Sequence, residues 1–318
     1  RRPPGSQGGL RAVIYVVGHT AVDHICRVPR FPPRNGSATI IDRKIYFGGG
    51  AANIAAGIAK LGEPCTLVSA VGGDFPGSEY DRWQKSLGLH QQFFTVPDAH
   101  TATAFMFTDG EGDQITFFEW GASHILSDSE APALPFVHMA TADPGFNTRI
   151  AERATFSTFD PGQDLHRYSR EQLESILSHI NIHFANRHKV ESMCQTLGLS
   201  REALAVRVPL AVFTMGAEGS ECIRGRDRLH IPALKVKMAD PTGAGDAYRA
   251  GFLVAFKRGY PLLECCRIGT VTASFAVEVV GCQNNLPSWD EMEARYRREF
   301  GGLPERGRGE GDDHPVWK

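Results

Sequence analysis

The stretch NIHFANRHKVESMCQTLGLSREALAVRVPLAVFTMG, residues 181–216, reads as strand, helix, strand. Its ends, NIHFAN (181–186) and LAVFTMG (210–216), are short and almost continuously apolar. That is the pattern of strands buried on both faces. Between them, His188–Leu197 carries apolar side chains at helical spacing. Outward from this unit the same alternation recurs. AVIYVVG from Ala12, CTLVSAVG from Cys65, FVHMATAD from Phe136 and TFSTFDP from Thr155 read as further core strands. Ala51–Leu61, Ser78–Leu87, Ser169–Ser178 and Gly245–Lys257 read as helices, and Leu262–Val280 and Ser288–Phe300 as closing ones. The alternation predicts an α/β fold, a three-layer α/β/α domain around a mainly parallel sheet, spanning residues 11–300.

Two regions break the rhythm. Residues 25–47 and 93–119 hold short alternating segments, such as ATAFMFTD and QITFFEW, with no helix between them, and predict a small β lid set into the α/β body. Residues 1–10 and 301–318 are rich in Gly, Pro and charge and predict flexible tails.

The 34 Lys+Arg and 36 Asp+Glu residues give a formal net charge of −2, which disfavours a nucleic-acid partner held by phosphate neutralisation. At 42% hydrophobic and 22% charged, the chain has ordinary globular usage. Its seven cysteines contain no C-x-x-C, so neither a disulfide framework nor a zinc ribbon is expected, and the reading is reduced thiols in the cytosol. No run approaches the ~18 apolar residues of a membrane span. Histidine spacings such as His19/His24 and His183/His188 miss the i, i+4 of a helical zinc pair. There is no G-x-x-x-x-G-K-[ST] and no protein-kinase motif set.

The chemistry concentrates in two glycine clusters. In MADPTGAGDAYRAGF (238–252), Gly243, Ala244 and Gly245 precede a helix whose first turn carries Asp246. Free N–H groups and the positive end of a helix dipole make an anion site suited to charge on a transferring phosphoryl group. A carboxylate beside it can act as general base toward an attacking hydroxyl; equally, it can be an ordinary first-turn acid. In YFGGGAANIAAGIAKLG (46–62), Gly48 and Gly49 let a hydroxylated ring lie against backbone, and Asn53 offers both donor and acceptor. The cluster also reads as a tight turn with a helix cap. It follows the lid and lacks the third glycine of a dinucleotide fingerprint, which disfavours a nicotinamide-dependent oxidoreductase.

Asp23 stands just past the first strand, where open α/β sheets place ligands, and its carboxylate could accept from two neighbouring hydroxyls. Thr214, Gly216 and Gly219 in TMGAEGS follow another strand and suit either a phosphate-approaching loop or a plain turn. Phe105, Phe107, Phe118 and Trp120 could contact an apolar ring or pack the lid itself.

Together GGGAANIAAGIAKLG and DPTGAGDAYRAGF resemble the two signature segments of the ribokinase-like (PfkB) carbohydrate and nucleoside kinases. The likeness runs from about Ile14 to Phe300. VGHTAVDHI, QITFFEWGAS, FDPGQDL and GCQNNLPSWD are most similar to the archaeal nucleoside kinases of that family. The resemblance implies Asp246 as catalytic base and Gly243, Ala244 and Gly245 as anion hole. It implies Asp23, Gly49 and Asn53 on the sugar hydroxyls; Gly48, Phe105 and Phe118 are further candidates beside the substrate. Asn186, Thr214, Gly216, Gly219 and Thr242 would line the ATP site, and Asp240 stands where some members bind a monovalent cation such as K+. ATP with Mg2+ is the implied donor.

One departure stands out. Where the family has N-x-x-E, this chain has Asn186-Arg187-His188-Lys189. Either Glu191 serves the metal from outside that register or Lys189 neutralises phosphate itself. Arg249, in the first turns of the catalytic helix, could touch phosphate or pair with a surface acid, the surface pair being slightly favoured. The expected reaction is ATP-dependent transfer to the 5′-hydroxyl of a nucleoside. A free sugar or sugar phosphate as acceptor, or a non-catalytic sensor on the same fold, stays open. Edge strands of the lid could pair two copies into a homodimer.

Overall fold

The computed structural model describes residues 13–304. The tail expected at 1–10, and the part of the other beyond 304, lie outside the described residues. In chain order the elements are β1 (Ile14–Val17), β2 (Ala21–Arg27), β3 (Asp42–Gly48), α1 (Gly50–Lys60), β4 (Cys65–Gly72), α2 (Glu79–Ser86), β5 (His90–Val96), β6 (Ala102–Thr108), β7 (Gln114–Glu119), β8 (Phe136–Met139), α3 (Pro144–Arg153) and β9 (Phe156–Phe159). They continue with α4 (Arg170–His179), β10 (Ile182–Asn186), α5 (Arg187–Leu197), α6 (Arg201–Ala205), β11 (Leu210–Thr214), β12 (Ser220–Arg224), β13 (Asp227–Ile231), α7 (Ala244–Lys257), α8 (Leu262–Ala276) and α9 (Trp289–Phe300).

Nine strands form the main sheet in the order β13-β12-β11-β10-β9-β8-β1-β4-β5. All neighbours are parallel except at the β11–β12–β13 edge. Side chains alternate across it: Ile14 and Val16 enter a core shared with α1, α7, α8 and α9, whereas Val17 enters a second core with α3, α4 and α5. Two apolar layers on one parallel sheet are what the uninterrupted strand runs require. α7 is apolar on nearly every side, with Ala247–Phe256 all buried, so it lies inside the first layer instead of on its surface.

The small sheet, β3-β2-β6-β7, differs from the expected lid at both ends. It begins at Ala21, and residues 93–96 are not in it: β5 pairs in parallel with β4, Phe93 opposite Ser69 and Phe94 opposite Ala70. Phe93 packs on Phe75 in one layer and Phe94 on Phe146 in the other, as an edge strand of the main sheet must. α3 breaks no rule but has few sequence cues beyond its Asp143 cap and Pro144 start. The closing helix expected over 262–280 ends at Ala276.

Candidate active site

Parallel strands put their C-terminal ends on one side of the sheet. There β1 leads to His19, β9 to Asp160, β10 ends at Asn186 and β11 at Thr214, with Asn186 and Thr214 in register. α7 brings its N-terminus to the same region. Its cap, Gly243, sits at φ 80°, and a Cβ there would lie within 3.0 Å of the Cys282 side chain, so the turn needs glycine on two counts. Among the described residues nothing accepts the N–H groups of Gly243, Gly245 or Asp246, while that of Ala244 goes to Pro241 O at 3.3 Å. The free amides are what an anion site needs.

Asp246 remains about one-fifth exposed at its side chain. Its Oδ2 accepts from Asn53 Nδ2 and its Oδ1 from Arg249 Nη1, each at 2.9 Å. Burial raises its pKa above the usual carboxylate range, against the opposing pull of Arg249 and Asn53. Asn53 is itself fixed: Gln283 Nε2 donates to its Oδ1 at 2.9 Å, and Trp83 Nε1 donates to Gln283 Oε1 at 3.0 Å.

Behind Asp246 lies an ion network. Arg249 Nη2 bonds Asp160 Oδ2, and Lys189 Nζ bonds Asp160 Oδ1 at 2.6 Å. Gly162 N–H also donates to Asp160 Oδ1 at 2.6 Å. Burial favours protonation of Asp160, but Arg249 and Lys189 overturn it and hold the carboxyl well below its ordinary value. Removing one member of such a buried set strands a charge, at a cost of roughly 3–5 kcal/mol. Arg249 is therefore no surface partner: it is 7% exposed and lies between the buried Asp160 and the partly exposed Asp246.

Asp23 approaches from the small sheet and is also buried. No described side chain or amide donates to its carboxylate, and burial together with the nearby Asp246 pushes its pKa up to about 7. A Cβ on Gly48 would come within 2.1 Å of Asp23 Oδ2, so bare backbone is what lets the acid sit there. Strand register sorts the aromatic residues. Ala104 pairs with both Asp23 and Phe118, placing Phe118 on the Asp23 face. Phe105 pairs with His24 and Phe117, so it and Phe107 fall on the opposite face, away from Asp23. Trp120 is buried, edge-on to His19 at 4.7 Å and covered by the Arg167 guanidinium at 3.7 Å. Gly49 caps α1 beside the same site.

On the far side of the strand ends, a cleft of about 760 Å³ is lined by Arg187, Glu191, Thr214, Met215, Glu218 and His230 among others. Gly216 and Gly219 shape the turn beside it, closed by Met215 N–H to Gly219 O at 2.7 Å. Asn186 Oδ1 caps α5 through Lys189 N–H at 2.9 Å. Glu191 faces this cleft, exposed, while Lys189 belongs to the Asp160 network. Asp240 accepts from Thr242 N–H at 2.9 Å and Gly281 N–H at 3.3 Å, bracing the loop ahead of α7. Among the described residues no group of three or more His, Cys, Asp or Glu side chains could hold a metal ion. These side chains do not fit a protein-built metal cage, and a divalent ion would come with nucleotide phosphates.

The sequence reading missed Asp160 and Gln283, although FDPGQDL and GCQNNLPSWD contain them. It also missed a buried group at the end of β1, where His19 contacts Ser123 Oγ at 2.9 Å and Asp164 Oδ2 at 3.0 Å. A buried-pair role shows in sequence only as an unexplained charge beside a motif.

The family model of the pfkB carbohydrate kinases matches residues 12–289. The nucleoside kinase of Methanocaldococcus jannaschii is 43% identical over 92% of this chain and 99% of its own length. That of Methanothermobacter thermautotrophicus is 42% identical over 92% of this chain and 97% of its own. The crystal structure of the M. jannaschii nucleoside kinase superposes with a TM-score of 0.87, covering 92% of this chain and 100% of that one. A Burkholderia thailandensis nucleoside kinase in complex with inosine superposes at 0.83 with 25% identity, covering 92% of this chain and 100% of that chain. On these matches, the chain belongs to the pfkB family of carbohydrate kinases.

Proposed function

We propose that the chain transfers the γ-phosphoryl group of ATP to the 5′-hydroxyl of a nucleoside. The observation that carries the reading is the meeting of one accessible carboxylate, Asp246, with free main-chain amides at the start of α7. Kinship with nucleoside kinases supports the acceptor class. ATP with magnesium is taken as the donor, seated along the cleft at Thr214, with Asn186 at the neighbouring strand end and Thr242, Gly216 and Gly219 in its loops. Asp23 and Asn53 hold the ribose hydroxyls over Gly48 and Gly49. Phe118, 38% exposed on the Asp23 face, offers its ring to the base.

In the transfer step Asp246 takes the proton of the 5′-hydroxyl as its oxygen attacks the γ-phosphorus. The bond from that phosphorus to the β–γ bridging oxygen breaks, and ADP leaves. The amides of Gly243 and Gly245 receive the charge that develops on the phosphoryl oxygens. Closure of the small sheet as a lid over the sugar excludes water, which would otherwise consume ATP.

The outer face of that lid exposes Phe117 (61%), Ile45 (54%) and Ile115 (43%), and this reading pairs two copies through it. A reducing cytosol suits the seven free cysteines. Among the described residues no helix is long and apolar enough to cross a membrane. The test is ATP consumption with magnesium across a panel of nucleosides, free ribose and sugar phosphates. Turnover is expected with nucleosides; faster turnover of a free sugar or sugar phosphate, or none with any acceptor, overturns the reading.

A further inference from the structure

Arg249 has no role in the scheme above, yet it is buried and held between two acids at the site. Its Nη1 donates to Asp246 at 2.9 Å and its Nη2 to Asp160. A Cβ on Gly245 would lie 3.2 Å from Nη1, so the guanidinium rests directly against the anion-site glycine. Its Nε is buried with no protein partner. Burying an arginine is unfavourable unless its charge is paired, and here both Asp160 and Asp246 pair it. Lys189, on Asp160's other oxygen, adds a second cation.

The charges add up simply. With Asp246 ionised, Asp160 and Asp246 balance Arg249 and Lys189. When Asp246 takes the hydroxyl proton, the group is left with one net positive charge. That charge appears below the phosphoryl group at the moment its oxygens need it, in a site where charge is poorly screened.

We propose that Arg249 is a catalytic residue of the transfer step, binding the ionised form of the base and remaining as counter-charge under the phosphoryl group, and that Asp160 is the positioning residue that aims it. The proposal rests on the reading of Asp246 as base. It also accounts for the lysine at 189: a glutamate there would face Asp160 as a like charge, and the network would lose a cation.

The test is the acid limb of kcat at saturating nucleoside, where Asp23 is covered by substrate. The other groups facing Asp246 and its network are Asn53, Cys282, Lys189, Asp160, His138 and His183. Arg249→Met is expected to move the limb to higher pH by about one unit or more, with kcat roughly 10²-fold lower at the optimum. Lys189→Met should move it the same way by less, and Arg249→Lys should restore part of the shift. Asp160→Asn removes a negative charge and should move the limb to lower pH.

A structural role alone would lower the amount of active protein without moving the limb. Unchanged limbs, or shifts in the same direction for Arg249→Met and Asp160→Asn, overturn the proposal. The free protein gives an independent reading, the ¹³Cγ NMR titration of Asp246 assigned against Asp246→Asn, which must show the same order of midpoints. This titration stands even if the nucleoside panel shows no turnover, so failure of the functional reading and failure of the proposal are distinguishable. Lys189→Met, at a side chain 14% exposed, keeps the test available if Arg249→Met does not fold.

Discussion

Two carboxylates meet at one site in opposite environments. Asp246 stands at a helix N-terminus and is hydrogen-bonded on both oxygens, by Asn53 and by Arg249. Asp23 stands on the small sheet, buried against Gly48, with no donor from the described protein. Each is pushed toward its neutral form by burial, but only Asp246 has a cation beside it. The contrast separates their tasks. On the proposed reading, the acid fixed at both oxygens keeps its orientation and takes the proton, whereas the acid left without donors is completed by the ligand's hydroxyl groups.

The strongest way to break this contrast is to remove the charge of each acid in turn. Asp246→Asn is expected to lower kcat by roughly 10²–10⁴ with KM little changed, measured by steady-state kinetics. If the loss appears in KM instead, the two acids have been given each other's roles. Asp23→Asn should act the other way, raising nucleoside KM by about 10- to 100-fold, the worth of charged hydrogen bonds to hydroxyls, with a smaller effect on kcat.

Asp23 also predicts a pH signature. Its pKa is about 7 in the folded chain against an ordinary 3.8, so the folded state holds that proton more tightly than the unfolded one. Its contribution to stability is therefore complete below about pH 4 and is lost as pH rises through about 7. Asp23→Asn should accordingly melt a few degrees above the parent at pH 8 and with it at pH 4, followed by calorimetry. Nucleoside KM of the parent should rise as pH falls below about 7, as the acceptor is protonated.

The smallest expected effects sharpen the same comparison between the faces of the small sheet. Phe118→Ala, on the Asp23 face, should raise nucleoside KM by roughly 5- to 20-fold, the scale of a lost ring-stacking contact. Phe117→Asp, one residue away on the outer face, should leave KM within about twofold and shift the sedimentation coefficient toward a single copy. Equal effects on KM would mean that the two faces are not functionally distinct.

The glycine-flanked start of α7, Asp246 within it, Asp23 and Asn53, and the continuously apolar core strands were all legible in the chain. Their signals are local: a run of apolar residues needs burial on both faces, and glycines ahead of an amphipathic helix mark a bare N-terminus wherever they fold. The small sheet was read less well. Residues 93–96 lead into the alternating lid segments with no helix between, and only pairing with β4 shows them to be a main-sheet edge. Phe105 and Phe118 look equivalent in sequence because the face a strand residue takes depends on register, and one step reverses it.

The sequence by itself determined the layered α/β body and the acid at the helix start, since both follow from spacing within a few turns of chain. Only the tertiary structure decided what surrounds that acid. Asp160 follows β9, Lys189 lies in α5 and Arg249 in α7, with Asp160 and Arg249 separated by 89 positions. Their pairing is a matter of desolvated charges brought within bonding distance, and no local pattern encodes that distance.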